Sequence, residues 1–185
     1  MTTAEQLRQA SAVGVLPTDT VYGLAARAAD QGAVARLYQL KVRENKPGTL
    51  IAANIEQLEE LGLKHRYLKA VEQFWPGAVS VVIPAADPRL KYLHLGKMSL
   101  AVRIPDDPKL QSLLREIGPL LTSSANPAGQ TPAATIAQAK DYFADRVDFY
   151  EDGGDLSNRQ PSTVIRVIDD AVEVLRQGAV KIPEA

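Results

Sequence analysis

Two apolar, β-branched runs, each stopped by a proline, constrain this chain most. They are Val79-Ser80-Val81-Val82-Ile83 before Pro84, and Ser99-Leu100-Ala101-Val102-Arg103-Ile104 before Pro105. Runs of this kind form strands, and proline ends them because it has no N–H to give to a ladder. The second run leads straight into a helix: Asp107 is placed to cap it, Pro108 fits its first turn, and Leu110, Leu113, Leu114 and Ile117 form one apolar stripe before Gly118.

The same alternation fills the rest of the chain. Ala4 to Ala10 reads as a helix, Ala12-Val13-Gly14-Val15-Leu16 as a buried strand, and Asp30 caps a helix through Val34, Leu37, Tyr38 and Lys41. Leu50 to Ala53 reads as a strand and Ile55 to Leu61 as a turn or two of helix. A further helix spans Arg66 to Phe74 and stops before Pro76-Gly77. Leu120 and Leu121 lead into a polar loop over Thr122 to Thr131, and Ile136 to Phe143 is helical. Ser162 to Ile168 and Val172 to Arg176 read as a hairpin around Asp169-Asp170-Ala171. Strands and helices intermixed in this way, with an antiparallel pair at the end, predict a single α/β domain over residues 1–185, built as a mixed sheet with packed helices.

Composition removes several chemistries. With no cysteine there is no disulfide, thiolate metal site or cysteine nucleophile, and two histidines (His65 and His94) cannot build a multi-histidine metal centre. The start of the chain lacks a basic stretch followed by an apolar run, and no segment has the length and apolarity of a membrane span, so the expectation is a soluble cytoplasmic protein. A formal net charge of −1 gives no overall attraction to nucleic acid, so any anion binding must come from local clustering.

Six short segments offer that clustering, mostly at strand ends, where α/β folds bind ligands. Pro17-Thr18-Asp19-Thr20-Val21-Tyr22-Gly23-Leu24 crowds hydroxyls and an acid into a turn, although these are also common turn formers. Lys41 and Arg43 at a helix end cap its carbonyls, grip phosphate or, the reading favoured from these residues by themselves, form a solvated surface pair. Phe74-Trp75-Pro76-Gly77 fits core packing at a tight turn. Arg103, set in an apolar strand, needs an anionic partner: Asp106, Asp107 or a ligand. Thr122-Ser123-Ser124-Ala125-Asn126 can surround an anion with neutral donors or form a polar turn. Finally, Ser162-Thr163-Val164 opens one late strand and Leu175-Arg176-Gln177-Gly178 closes the next. No Walker loop, Gly-x-Gly-x-x-Gly or serine–histidine–acid set is present.

In this order and spacing, from about residue 5 to about residue 178, the six segments resemble the signature of the YrdC/TsaC family of threonylcarbamoyl-AMP synthases, and the chain looks like its short bacterial branch. The resemblance implies a twisted sheet with a concave, basic substrate cleft. It implies the conversion of L-threonine, bicarbonate or CO2, and ATP into threonylcarbamoyl-AMP and diphosphate, with Mg2+ carried mainly on the ATP phosphates. Downstream proteins of the TsaD, TsaB and TsaE type would then modify adenosine 37 of tRNAs reading codons that start with A.

Matched position by position, Lys41, Arg43, Ser124 and Asn126 take the catalytic places. Lys41, Arg43, Thr122, Asn126 and Arg176 take those facing ATP, and Thr20, Tyr22, Arg103, Ser124 and Ser162 those facing threonine. No metal ligand is implied. A reactive intermediate calls for a covering loop, for which Gly153-Gly154 is the candidate. Three positions depart from the pattern: Ala128 stands where many relatives have serine, Ala78 where they often have proline, and Leu50 to Ala53 lacks the histidine of longer relatives. The competing reading is a module that binds double-stranded RNA or tRNA on the same basic face; weak RNA affinity also fits as a secondary activity.

Overall fold

A computed structural model describes residues 1–42 and 46–183. Its strands are β1 (Val13–Pro17), β2 (Tyr22–Arg27), β3 (Thr49–Ile51), β4 (Val79–Pro84), β5 (Ser99–Arg103), β6 (Leu120–Ser124), β7 (Phe149–Tyr150), β8 (Thr163–Ile168) and β9 (Ala171–Arg176). They form one nine-stranded sheet in the order β7-β1-β2-β6-β3-β5-β4-β8-β9. The pairs β1/β7, β3/β5 and β4/β8 are parallel and the rest antiparallel, so the sheet is mixed as expected. The helices are α1 (Thr3–Leu7), α2 (Gln31–Lys41), α3 (Ile55–Leu61), α4 (His65–Lys69), α5 (Lys91–His94), α6 (Pro108–Ile117) and α7 (Ile136–Phe143).

Local signals fix most of these elements. Asp30 accepts from Ala33 N at the start of α2, and Asp107 accepts from Leu110 N at the start of α6. Gly118 ends α6 at φ 85°, a conformation that suits glycine. The β8–β9 turn rests on Asp169 and Asp170, with φ of 48° and 62°, as a two-residue hairpin requires.

Three expectations need correction. Tyr22-Gly23-Leu24, read as part of a turn, opens a strand that runs from Tyr22 to Arg27. Thr122 to Ser124, read as loop, completes β6 because the stretch pairs with β2 on one side and β3 on the other. The helix predicted over Arg66 to Phe74 breaks after Lys69 and resumes as a single 3-10 turn over Glu72–Phe74.

Side-chain alternation divides the core into two layers, one on each face of the sheet. Val13, Val15, Leu24, Ala26, Leu50, Val102 and Leu121 belong to the larger layer, along with Val34 and Leu37 of α2. Their strand neighbours Leu16, Ala25, Ile51 and Leu120 face the other way, under α1 and α6, and meet Leu7, Leu110, Leu114 and Ile117. α1 and α6 cover only part of that second face. By the same period of two, Gly23, Thr49, Ala101, Arg103, Thr122 and Ser124 lie on its remainder, and there the sheet forms the floor of a cleft.

Candidate active site

The cleft encloses about 210 Å³. Its floor is made of small residues in register: Gly23 opposite Ser124, and Thr49 between Thr122 and Ala101. Thr18 and Thr20 from the β1–β2 turn form one wall, while Ser162 and Arg176 from the β8–β9 hairpin form the opposite one. Of the sequence-predicted residues, Thr20, Tyr22, Arg103, Thr122, Ser124, Ser162 and Arg176 all meet here.

Arg103 closes β5 with 5% of its side chain exposed. Its partner is Asp19 rather than Asp106 or Asp107: Nη2 donates to Asp19 Oδ1 at 3.0 Å. Asp107 is occupied as the α6 cap, and Asp106 is exposed, which explains the difference. Burial pushes the Asp19 carboxyl above its usual range, against the downward pull of Arg103. The contact uses one point of the guanidinium fork, and both Arg103 Nε and Asp19 Oδ2 are buried without a hydrogen-bond partner. Arg103 Nη1 donates to Ser80 Oγ at 3.3 Å, and Ser80 Oγ lies 2.8 Å from Ser162 Oγ.

Arg176, by contrast, is exposed at the mouth of the cleft. Its Nη2 and Nε donate to Ser162 O at 2.7 and 3.2 Å. The cleft therefore has one guanidinium buried at its base and another exposed at its opening.

The threonines form their own small network. Thr18 Oγ1 donates to Val21 O at 2.6 Å, lies 3.0 Å from Thr20 Oγ1, and accepts from Thr20 N at 3.1 Å. Thr122 Oγ1 donates to Thr49 O at 3.0 Å, so its oxygen retains acceptor capacity. Tyr22 is fully buried, and its hydroxyl accepts from Gly153 N and donates to Gly154 O, both at 2.8 Å. With Arg159 Nη1 donating to Thr18 O at 2.9 Å, this ties the Gly153-Gly154 stretch to the β1–β2 turn, which argues against a freely moving lid at that point.

Lys41 and Asn126 sit behind the cleft rather than on its wall. Lys41, 1% exposed, donates to Ser124 O at 2.7 Å, Asn126 O at 2.8 Å and Asn126 Oδ1 at 3.2 Å. The Asn126 amide nitrogen donates to Gln130 O at 2.8 Å and Pro127 O at 3.0 Å. The pair thus shapes the loop after β6 that presents Ser124. Val42, which follows, is 79% exposed with φ 43°, a costly conformation for a β-branched residue. Arg43 lies outside the described residues. The sequence reading assigned no role to Asp19 or Ser80; the only hint for Ser80 was a hydroxyl within an otherwise apolar strand.

Residues 6–178 match the family model Sua5_yciO_yrdC, whose description is "Telomere recombination". The chain belongs to the Sua5/YciO/YrdC family. Within it, a threonylcarbamoyl-AMP synthase of Marinobacter nauticus is 35% identical over 170 residues, covering 89% of this chain and 90% of that one. A Bacillus subtilis threonylcarbamoyl-AMP synthase is 34% identical over 186 residues, covering 96% of this chain and 53% of its own length. Among solved structures, P. abyssi Sua5 complexed with L-threonine superposes with a TM-score of 0.82 at 29% identity, over 95% of this chain and 52% of that one. E. coli YciO shares the fold, with a TM-score of 0.81 at 24% identity over 96% and 88% of the two chains. This chain thus spans most of its short relatives and about half of Sua5 and the B. subtilis protein.

Proposed function

We propose that this chain is a threonylcarbamoyl-AMP synthase, joining L-threonine, bicarbonate or CO2, and ATP into L-threonylcarbamoyladenylate and releasing diphosphate. The observation that carries the reading is a cleft with a buried arginine at its base and an exposed one at its mouth, lined between them by hydroxyls. Buried Arg103 suits the carboxylate of an amino acid; exposed Arg176 suits a polyphosphate that remains partly in solvent. At about 210 Å³ the enclosed space holds the reacting groups, and the nucleoside lies along the opening.

In this reading Arg103 fixes the threonine carboxylate, and Thr20 and Ser162 meet its polar groups. The substrate amine adds to CO2, forming an N–C bond and losing a proton, and the resulting carbamate oxygen attacks the α-phosphorus of ATP. The bond from that phosphorus to diphosphate breaks. The cations and the Ser124 loop, held from behind by Lys41 and Asn126, stabilise charge where it develops. Arg43 takes the remaining cationic place by its match to the family pattern.

Mg2+ fits as a passenger on the nucleotide. Among the described residues there is no cluster of three or more histidine or acidic side chains able to hold a metal, so phosphate and water would supply its ligands. The product would pass to tRNA threonylcarbamoyl-transfer proteins in the cytoplasm; none of the described helices is long and apolar enough to cross a membrane. Tyr22, Arg103, Thr122, Ser124 and Arg176 lie on strands of one sheet, and Thr20 and Ser162 on segments leading into them, which supports residues 1–185 working as one domain. Purified protein with Mg-ATP should release diphosphate only when threonine and bicarbonate are both present. Release that ignores either substrate rejects the assignment.

A further inference from the structure

We infer that Ser80 is a positioning residue: it presets the Ser162 hydroxyl as a hydrogen-bond donor into the cleft and couples the Arg103 and Arg176 ends of the site. The inference rests on the function proposed above.

Ser80 is fully buried in β4, opposite Val164 of β8. Its Oγ lies 3.3 Å from Arg103 Nη1 and 2.8 Å from Ser162 Oγ. Ser162 Oγ lies 3.3 Å from Arg176 Nη2, whose stronger contact is to Ser162 O at 2.7 Å. A guanidinium only donates. Each serine oxygen therefore accepts one arginine N–H, and only one of the two hydroxyl protons can lie between the serines.

That shared bond has two possible directions. If Ser162 donated, the Ser80 proton would need another acceptor, and among the described residues Ser80 Oγ is bonded only to Arg103 and Ser162. A fully buried O–H left without an acceptor is costly. Donation therefore runs from Ser80 to Ser162. Ser162 Oγ then accepts from Ser80 and from Arg176, and its own proton is free to point into the cleft that Ser162 lines. A preset donor at this point matches an anionic oxygen, the carboxylate or nascent carbamate, and requires no reorientation when that charge appears. The same oxygen of Ser80 steadies the Arg103 fork, so its loss disturbs both ends of the cleft.

Threonine and valine at position 80 have nearly the same shape and differ in the hydroxyl, and both are good strand residues. Wild type, Ser80→Thr and Ser80→Val are compared by diphosphate release over a range of threonine concentrations, with thermal melts in parallel. Ser80→Thr should keep kcat/KM for threonine near wild type. Ser80→Val should lower it about tenfold or more relative to Ser80→Thr when both are assayed well below their melting temperatures, although the lost acceptor of Arg103 Nη1 also costs Ser80→Val some stability. Equal kcat/KM in the two variants overturns the inference while leaving the function standing. A loss of kcat/KM in Ser80→Val that disappears when the assay is run well below its melting temperature assigns Ser80 to structure alone and also overturns it. Wild type without threonine-dependent turnover removes the proposed function, and this inference with it.

Discussion

Replacing Arg103 with methionine removes one half of the ion pair at the base of the cleft and leaves the other half buried. The two side chains are 5% and 6% exposed and meet at 3.0 Å. Breaking a buried pair from one side costs about 3–5 kcal/mol, because the remaining charge has neither water nor partner. Burial already raises the Asp19 carboxyl with Arg103 beside it, so without the arginine it rises further. A carboxyl whose pKa is higher in the folded than in the unfolded state binds its proton preferentially when folded. The penalty in Arg103→Met is therefore full above the folded pKa of Asp19, and is relieved as pH falls through it.

Urea unfolding at neutral and mildly acidic pH should show the gap to wild type narrowing in acid. Adding Asp19→Asn removes the stranded charge, and the double variant should recover at least half of the lost stability at neutral pH. Activity should not follow. Both variants should need roughly ten- to a hundredfold more threonine than wild type, the loss of a hydrogen-bonded charge contact. A stability loss below about 1 kcal/mol in Arg103→Met would show that the pair is not the buried, uncompensated one argued here. Restored threonine affinity in the double variant would mean that Arg103 does not hold the substrate.

Two further substitutions probe the frame around the site. Partial burial raises the Asp30 carboxyl, but N–H groups of Ala33, Ser11 and Gly32 together hold it below its ordinary 3.8. Asp30→Ala should therefore cost about 1 kcal/mol in urea unfolding at neutral pH, a difference present above that ordinary value and fading as pH drops through the lowered one. A Cβ on Gly178 would sit 2.2 Å from Pro161 O and 2.7 Å from Ser162 O, the carbonyl that holds Arg176. Gly178→Ala should cost about 1–3 kcal/mol by overpacking, and should raise KM for ATP in the diphosphate assay.

The sequence was most legible where strong strand or helix formers met a clear stop signal. β4, β5 and α6 are examples, marked by β-branched runs ended by proline and by a capped apolar stripe. β2 escaped notice because Tyr-Gly-Leu-Ala-Ala is buried on both faces and therefore has no alternation, and its Gly and Ala are weak strand formers. The end of β6 looked like a loop for a functional reason: it turns hydroxyls toward the cleft rather than apolar groups toward the core. Local sequence offers Asp106, Asp107 or a ligand as the partner of Arg103, whereas Asp19 is 84 residues away along the chain. Such a pairing depends on strand order, which no local pattern encodes. The family resemblance brought seven of the named residues to one cleft, but it did not show that Lys41 and Asn126 support that cleft from behind.

In this cleft three substrates are joined into one mixed anhydride. Incubating the protein with threonine, Mg-ATP and isotopically labelled bicarbonate, then quenching and analysing by mass spectrometry, tests it most directly. A threonylcarbamoyl-AMP peak carrying the label in its carbamoyl carbon is expected, formed in step with diphosphate. Diphosphate accompanied by threonyl-AMP, or by an unlabelled adduct, would contradict it.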